Sequence, residues 1–183
     1  MLKRCKQQLL YGSLIVLGLL SVAEVVYASP FGAGKYGANV PYGGETSLTI
    51  ATNGDVSIPI TPSDSGTLAS GTSTVTVTST DVVGYKLYIR AKTSTNLVNG
   101  SSNITASANV SPAALATNTW GYNTDGSSNY AGITLSDVLI RTGTGPYSTG
   151  DQTSVKYGVK VDNAVPAGNY SSIVVYTAVP QTQ

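Results

Sequence analysis

The sequence of 183 residues has no histidine and a single cysteine, Cys5. Without histidine, the chain cannot form the Ser–His or Cys–His pair that activates many catalytic nucleophiles. A zinc centre also lacks its usual histidine and cysteine ligands. We therefore expect a protein that is not an enzyme and that binds no cofactor.

Charged residues are also scarce, at 10% of the chain against roughly 25% in an ordinary soluble domain. The formal net charge is +1, and a nearly neutral surface argues against nucleic acid or an anionic membrane as a partner. The abundant residues favour strands (threonine, valine, tyrosine) or turns (glycine, asparagine, serine). This composition predicts an all-β protein and is typical of extracellular layers and fibres.

The first 28 residues have the pattern of a secretory signal peptide. Three basic residues precede an apolar run at residues 9–23. This run is shorter than the roughly 20 apolar residues that cross a membrane. We expect cleavage after Ala28, with an uncleaved membrane anchor as the alternative. Cleavage would remove Cys5 and leave a secreted chain without disulfides and without a stable membrane anchor.

Residues 29–46 differ from the rest of the chain, because glycine and tyrosine dominate them without helical or strand periodicity. We interpret this stretch as an extended N-terminal arm. It precedes a single β-domain, which we place at residues 47–183.

Alternating apolar residues predict the first strands of this domain. Residues 48–50 alternate, and Asn53-Gly54 follows as a strong hairpin signal. We therefore expect residues 56–60 to return as the second strand of a hairpin, confined to a sheet edge by its proline. Residues 61–73 are predicted to form a polar loop.

Further strands are predicted from the same alternation, at residues 74–78, 84–91 and 155–161. The segment Trp-Gly-Tyr at residues 120–122 is also predicted to be a strand. Residues 142–151 are rich in glycine, serine and threonine, and we expect them to form a loop.

The last strand is predicted at residues 170–179, between a turn at residues 166–168 and Pro180. Both of its faces are substantially apolar, so it should be buried on both sides or covered by a partner. The whole chain contains seven to nine short strands separated by turn signals. This pattern predicts an antiparallel Ig-like β-sandwich.

Two segments contain candidate binding groups. Residues 123–129 place oxygen side chains around Gly126, as in part of a calcium loop, but they hold one carboxylate and turn chemistry explains them equally well. Trp120 and Tyr122 could stack on sugars. Alternatively, Trp120 is the core tryptophan of a β-sandwich.

Two segments carry a resemblance to a known family. TVTVTSTDVVGYKL at residues 74–87 and PAGNYSSIVVYTAVP at residues 166–180 together resemble the WxL cell-surface domain family. Tyr85 and Tyr176 stand where that family has tryptophan. The resemblance implies a surface location and peptidoglycan binding.

The whole secreted part also resembles secreted β-sandwich surface proteins of candidate-phylum bacteria. It shares with them an arm like FGAGKYG, Trp-Gly-Tyr and Tyr-Gly-Val segments, and an ending like PAGNYSSIVVYTAV. That ending is also similar to a strand of spore coat U and pilin-like domains. This last resemblance implies subunits that complete one another by donor strands.

Two functions therefore remain open, both for a secreted protein at the cell surface. The first is a structural, pilin-like or coat subunit whose arm adds a strand to a neighbouring copy. The second is a WxL-like cell-wall or glycan-binding module or adhesin. The candidate assembly residues are apolar or aromatic: Phe31, Tyr36, Val40, Tyr42, Leu48 and Ile50.

Overall fold

The computed structural model describes residues 46–181, so the predicted signal peptide and nearly all of the predicted arm lie outside the described residues. Within this range the protein is all-β, as predicted. Residues 46–181 contain no helix that is long and apolar enough to cross a membrane. The strands are β1 Ser47–Thr52, β2 Thr67–Thr80, β3 Gly84–Ala91, β4 Leu97–Asn99, β5 Ser102–Ala106, β6 Thr119–Asn123, β7 Val138–Thr144, β8 Tyr147–Val161 and β9 Val174–Gln181.

These nine strands of the described chain form a large and a small sheet. The large sheet has the order β1-β2-β8-β6-β5-β4, and the small sheet has the order β7-β3-β9. All neighbours are antiparallel except β5 and β6, which are parallel. The two longest strands, β2 and β8, pair with each other along most of their length.

One core lies between the two sheets. The inward side chains of β3 are completely buried, as their alternation predicted. Alternate residues of β2 and β8 face them, and Trp120 of β6 extends the core along the large sheet. The fully buried aliphatic and aromatic residues of these strands are Val75, Val77, Tyr85, Leu87, Ile89, Ala91 and Val155.

A partly buried polar cluster joins the two sheets. Tyr85 of β3 donates its hydroxyl to Asp151 of β8 at 2.6 Å, and Arg141 of β7 donates to both carboxylate oxygens at 2.7 and 2.8 Å. Burial alone would raise the pKa of Asp151, but the hydrogen bonds from Arg141 and Tyr85 outweigh it and hold that pKa below its ordinary value. Burial and the bond to Asp151 raise the pKa of Tyr85 to about 12.

Two opposed glycines explain the Trp-Gly-Tyr and Tyr-Gly-Val segments. Gly121 of β6 and Gly158 of β8 are directly paired and face away from the core between the sheets. The ring of Tyr130, which is 1% exposed, lies against Gly158, where a Cβ atom would overlap it. A Cβ atom on Gly121 would overlap the carbonyl of Ala131. The glycines thus let the loop before β7 cover the outer face of the large sheet.

The predicted hairpin at Asn53-Gly54 is wrong, because β1 pairs with β2 instead. The side-chain oxygen of Asn53 accepts hydrogen bonds from Ser73 Oγ at 3.1 Å and from the Thr74 N–H at 2.9 Å. These bonds hold the end of β1 against β2. The chain then leaves the sheet, so residues 56–60 form no strand of their own.

Both predicted loops are also wrong. β2 begins at Thr67, inside the loop expected at residues 61–73, because that segment pairs with β8. Strands β7 and β8 take up most of residues 142–151. The turn between them is confined to Gly145, with φ of 107°, and Pro146. Pairing with long neighbours overrides the turn preference of these small polar residues.

The last strand differs from its prediction in extent and in burial. β9 begins at Val174 instead of residue 170, and it continues through Pro180, which lies opposite Tyr85. In the described chain β9 pairs with β3 alone and forms an edge of the small sheet, where proline is tolerated. Ile173, just before it, is 60% exposed, so this segment is not buried on both sides.

Replacing Asp151 by alanine should lower the free energy of unfolding by about 1–3 kcal/mol, because the buried Tyr85 hydroxyl loses its acceptor. The pKa of Asp151 is lower in the folded state, so its contribution is complete above the pKa of an unfolded aspartate. It is lost as the pH falls through the lower folded pKa. Urea unfolding at pH 7 and at successively lower pH measures both effects.

Asp137→Ala is the matched control, because Asp137 also pairs with an arginine, Arg90 at 3.4 Å, but its side chain is 49% exposed against 11% for Asp151. Such pairs contribute about 0–1 kcal/mol. Equal losses in the two variants would contradict the role of the partly buried cluster. So would a difference between Asp151→Ala and the unchanged protein that stays constant as the pH falls.

Candidate functional site

An open groove with a volume of about 690 Å³ extends over the inner face of the large sheet. Its floor consists of apolar side chains from neighbouring strands, and two non-strand segments, residues 54–60 and 168–173, form its walls. The floor residues are Leu97 of β4, Ile104 of β5, Trp120 of β6, and Tyr157 and Val159 of β8.

Trp120 and Tyr157 form the aromatic part of the floor. Their ring centroids are 6.4 Å apart, and the planes are inclined by 36°. The indole Nε1 of Trp120 donates to the carbonyl of Thr95 at 2.9 Å, which satisfies the polar atom of a residue that is 3% exposed. Trp120 and Tyr157 are only 3% and 8% exposed, so their rings form the closed base of the groove and leave no polar ring atom without a partner.

The first wall is a strand-like segment without a strand partner. Val56, Ile58 and Ile60 alternate with exposed residues and are half-buried against the core. Gly71 of β2 makes room for this wall, since a Cβ atom there would overlap Val56. Within the described chain, residues 54–62 neither donate nor accept a backbone hydrogen bond.

The second wall leads into β9. The backbone of Ser171 exchanges two hydrogen bonds with Val98 of β4, at 2.9 and 3.1 Å. The carbonyl of Ile173 accepts from the Lys92 N–H at 2.9 Å, and β9 then pairs with β3. The far edge of β9 has no strand partner among residues 46–181. The first wall and the far edge of β9 therefore present main-chain groups that a further strand could use.

A pair of tyrosines connects the floor to β9. The hydroxyls of Tyr157 and Tyr176 are hydrogen-bonded to each other between the large and the small sheet. Burial raises the pKa of both phenols, with their mutual interaction adding to the effect for Tyr157. Both groups stay neutral at physiological pH. Asp55, which is exposed, is the one charged residue of the described lining.

The structure separates the predicted site residues into three groups. Leu48 and Ile50 belong to β1 and pair with β2, so they are part of the domain and not of a free arm. Trp120 and Tyr122 are 3% and 5% exposed, so both belong to the core and neither has an open face for sugar stacking. The remaining candidates lie outside the described residues: Phe31, Tyr36, Val40 and Tyr42.

The loop at residues 123–129 is stabilised by hydrogen bonds between its own residues. Asn123 is 1% exposed and donates to the carbonyls of Ser127 and Asn129 at 3.2 and 2.6 Å. The Ser127 N–H donates to Asp125 at 2.9 Å, and bonds from Ser127 lower the pKa of that carboxyl. Lys156 Nζ donates to the carbonyls of Gly126 and Ser127, so these oxygens already face a positive charge.

The groove was not found from the sequence, although part of its signal was visible. The alternation of Val56, Ile58 and Ile60 predicts the second strand of a hairpin with β1, whereas in the structure these residues line a wall of the groove. A missing hydrogen-bond partner leaves no trace in a sequence pattern. Residues 170–173 of the other wall are predicted to begin the last strand, but β9 begins at Val174.

The groove is lined mainly by apolar side chains and by backbone without strand partners in the described chain. Among residues 46–181, no group of three or more Asp, Glu, His or Cys side chains could hold a metal ion. The groove offers an apolar floor, one carboxylate at its rim and free backbone edges. Compared with known proteins, the chain matches no protein-family model, no curated protein and no solved structure.

Replacing Tyr176 by phenylalanine should lower the free energy of unfolding by about 1–3 kcal/mol, because the buried Tyr157 hydroxyl loses its partner. Tyr170→Phe is the matched control. Its hydroxyl donates to the Pro166 carbonyl at an exposed site, where water can replace the bond. Chemical unfolding of both variants tests this, and an equal effect of the two changes would contradict a structural role of the buried pair.

Proposed function

We propose that this protein is a non-catalytic structural subunit of a cell-surface fibre or coat, built on an Ig-like antiparallel β-sandwich. Copies are joined when the N-terminal segment of one copy adds a strand to the next. The observation that carries this proposal is the groove, since residues 54–60 on one side and β9 on the other have backbone edges without a strand partner in the described chain.

Strand addition suits these edges for a physical reason. An added strand gains affinity from main-chain hydrogen bonds and specificity from side chains that enter pockets at alternate positions. Residues 54–62 leave their main-chain groups without such bonds in the described chain, and the apolar floor beside them can receive side chains. The groove thus has both components that strand addition requires.

Repetition of this contact would produce a polymer. The donor segment and the acceptor groove are different surfaces of the same chain, so the contact is head-to-tail and leaves a free donor and a free acceptor at the two ends. Contacts of this kind form filaments unless they close into a ring. The low charge of the chain reduces the repulsion between adjacent copies.

The proposed location follows from the sequence of the first 28 residues. Their basic start and apolar run direct secretion, and the near-neutral, threonine-rich composition suits a surface layer. Because the structure places Leu48 and Ile50 in β1, we restrict the donor to residues 29–45.

Replacing residues 29–45 by a glycine-serine linker of equal length should abolish polymers and leave the fold intact. The unchanged protein, purified after export, should form filaments or ordered layers in electron micrographs, whereas the linker variant should stay monomeric. Equal unfolding temperatures of the two proteins would show that the loss is one of assembly.

Polymers of normal length from the linker variant would contradict strand donation by this segment. A monomeric unchanged protein that sediments with purified cell wall would instead favour the wall-binding or adhesin alternative. Neither outcome depends on the identity of a host partner.

A further inference from the structure

We infer that the groove accepts residues 36–42 of a second copy as an extended strand, with Tyr36, Ala38, Val40 and Tyr42 facing the apolar floor. This inference rests on the proposed function and goes further by naming the donor residues, the acceptor surface and the origin of the donor in another copy.

The sequence of the donor segment has the alternation that the groove requires. Residues 29–46 as a whole show no period, yet the seven residues from Tyr36 to Tyr42 alternate apolar or aromatic side chains with Gly37, Asn39 and Pro41. An extended chain points alternate side chains to one face. That face would meet a floor of aromatic and branched aliphatic residues, and the small or polar face would point away from it.

The backbone of residues 36–42 can serve the free edges of both walls. An extended occupant presents alternating N–H and C=O groups on both sides, one toward residues 54–60 and one toward β9. Pro41 has no backbone N–H, so one hydrogen bond between the occupant and the walls would be missing. The wall and the occupant would then each satisfy main-chain groups of the other.

Charge supports the same pairing. Asp55 is the one charged residue among the described lining residues, and it is exposed at the rim. Lys35, directly before the alternating segment, is the one charged residue between positions 29 and 44. A donor lysine beside Asp55 would determine the direction in which the donor strand lies in the groove. It would not place any charge on the apolar floor.

Chain length favours a second copy over the same chain. Thr46 is held at the start of β1, where its hydroxyl donates to the Asp81 carbonyl at 3.4 Å. Thr52, the first lining residue along the chain, lies at the other end of β1, about 20 Å away at the rise of a strand. Tyr42 is four residues before Thr46 and can reach at most about 14 Å from it. Tyr42 therefore cannot reach the Thr52 end of its own groove.

A synthetic peptide of residues 33–44 with a fluorescent label tests the inference directly. The receptor is the linker variant of the full chain, whose grooves no donor can fill. We expect saturable binding, detected by fluorescence anisotropy. A peptide with Tyr36→Ser and Val40→Asp should bind at least roughly tenfold more weakly, because it brings polar groups to an apolar floor.

Ile173→Glu in the receptor should weaken peptide binding by roughly tenfold or more, because it places a carboxylate at the wall of the groove. Ile173 is 60% exposed, so this change should leave folding intact. Leu139→Glu is the matched control, since Leu139 is 48% exposed and lies outside the groove lining. It should bind the peptide as the unaltered receptor does.

Absence of saturable binding, or equal binding to the Ile173→Glu and Leu139→Glu receptors, would overturn this inference. Filaments formed by the unchanged protein in the same preparation would then still support the proposed function, with a different contact. Conversely, groove-specific binding without filaments would support the acceptor groove and contradict the role in a fibre or coat.

Discussion

The long antiparallel pairing of β2 with β8 is the constraint on which the rest of the structure depends. These strands have 14 and 15 residues, whereas those of the small sheet have 7 or 8. A sheet of three short strands cannot cover the inner face of six strands. Residues 54–60 and 168–173 cover part of what remains, and the groove lies between them.

The two halves of the long ladder are stabilised differently. Where the small sheet covers it, Tyr85, Arg141 and Asp151 join the sheets with charge-assisted hydrogen bonds, and completely buried side chains fill the space. Over the other half, Trp120 is buried in the core. The segment at residues 54–60, which lies over this part of the sheet, forms no backbone hydrogen bond in the described chain. A surface that is apolar and incompletely hydrogen-bonded is one that another chain can complete.

Those parts of the fold that depend on the alternation of apolar and polar side chains could be predicted from the sequence. The inward faces of β3 and β8 and the strand at Trp120 follow from alternation, and the structure confirms them. What alternation cannot determine is the partner of each strand. Residues 56–60 alternate like a strand but have no strand partner in the described chain, and residues 67–73 form a strand although their composition favours a turn. Pairing over long sequence separations decided both, and for this reason the groove could not be predicted.

The central claim is that the groove is an acceptor for a strand, and amide hydrogen exchange tests it most directly. The amides of residues 54–62 form no backbone hydrogen bond in the described chain and should exchange rapidly in the linker variant. Exchange followed by mass spectrometry, with and without the peptide of residues 33–44, should show slower exchange on addition of the peptide in this segment and along β9. Unchanged exchange in both segments at saturating peptide would contradict the account.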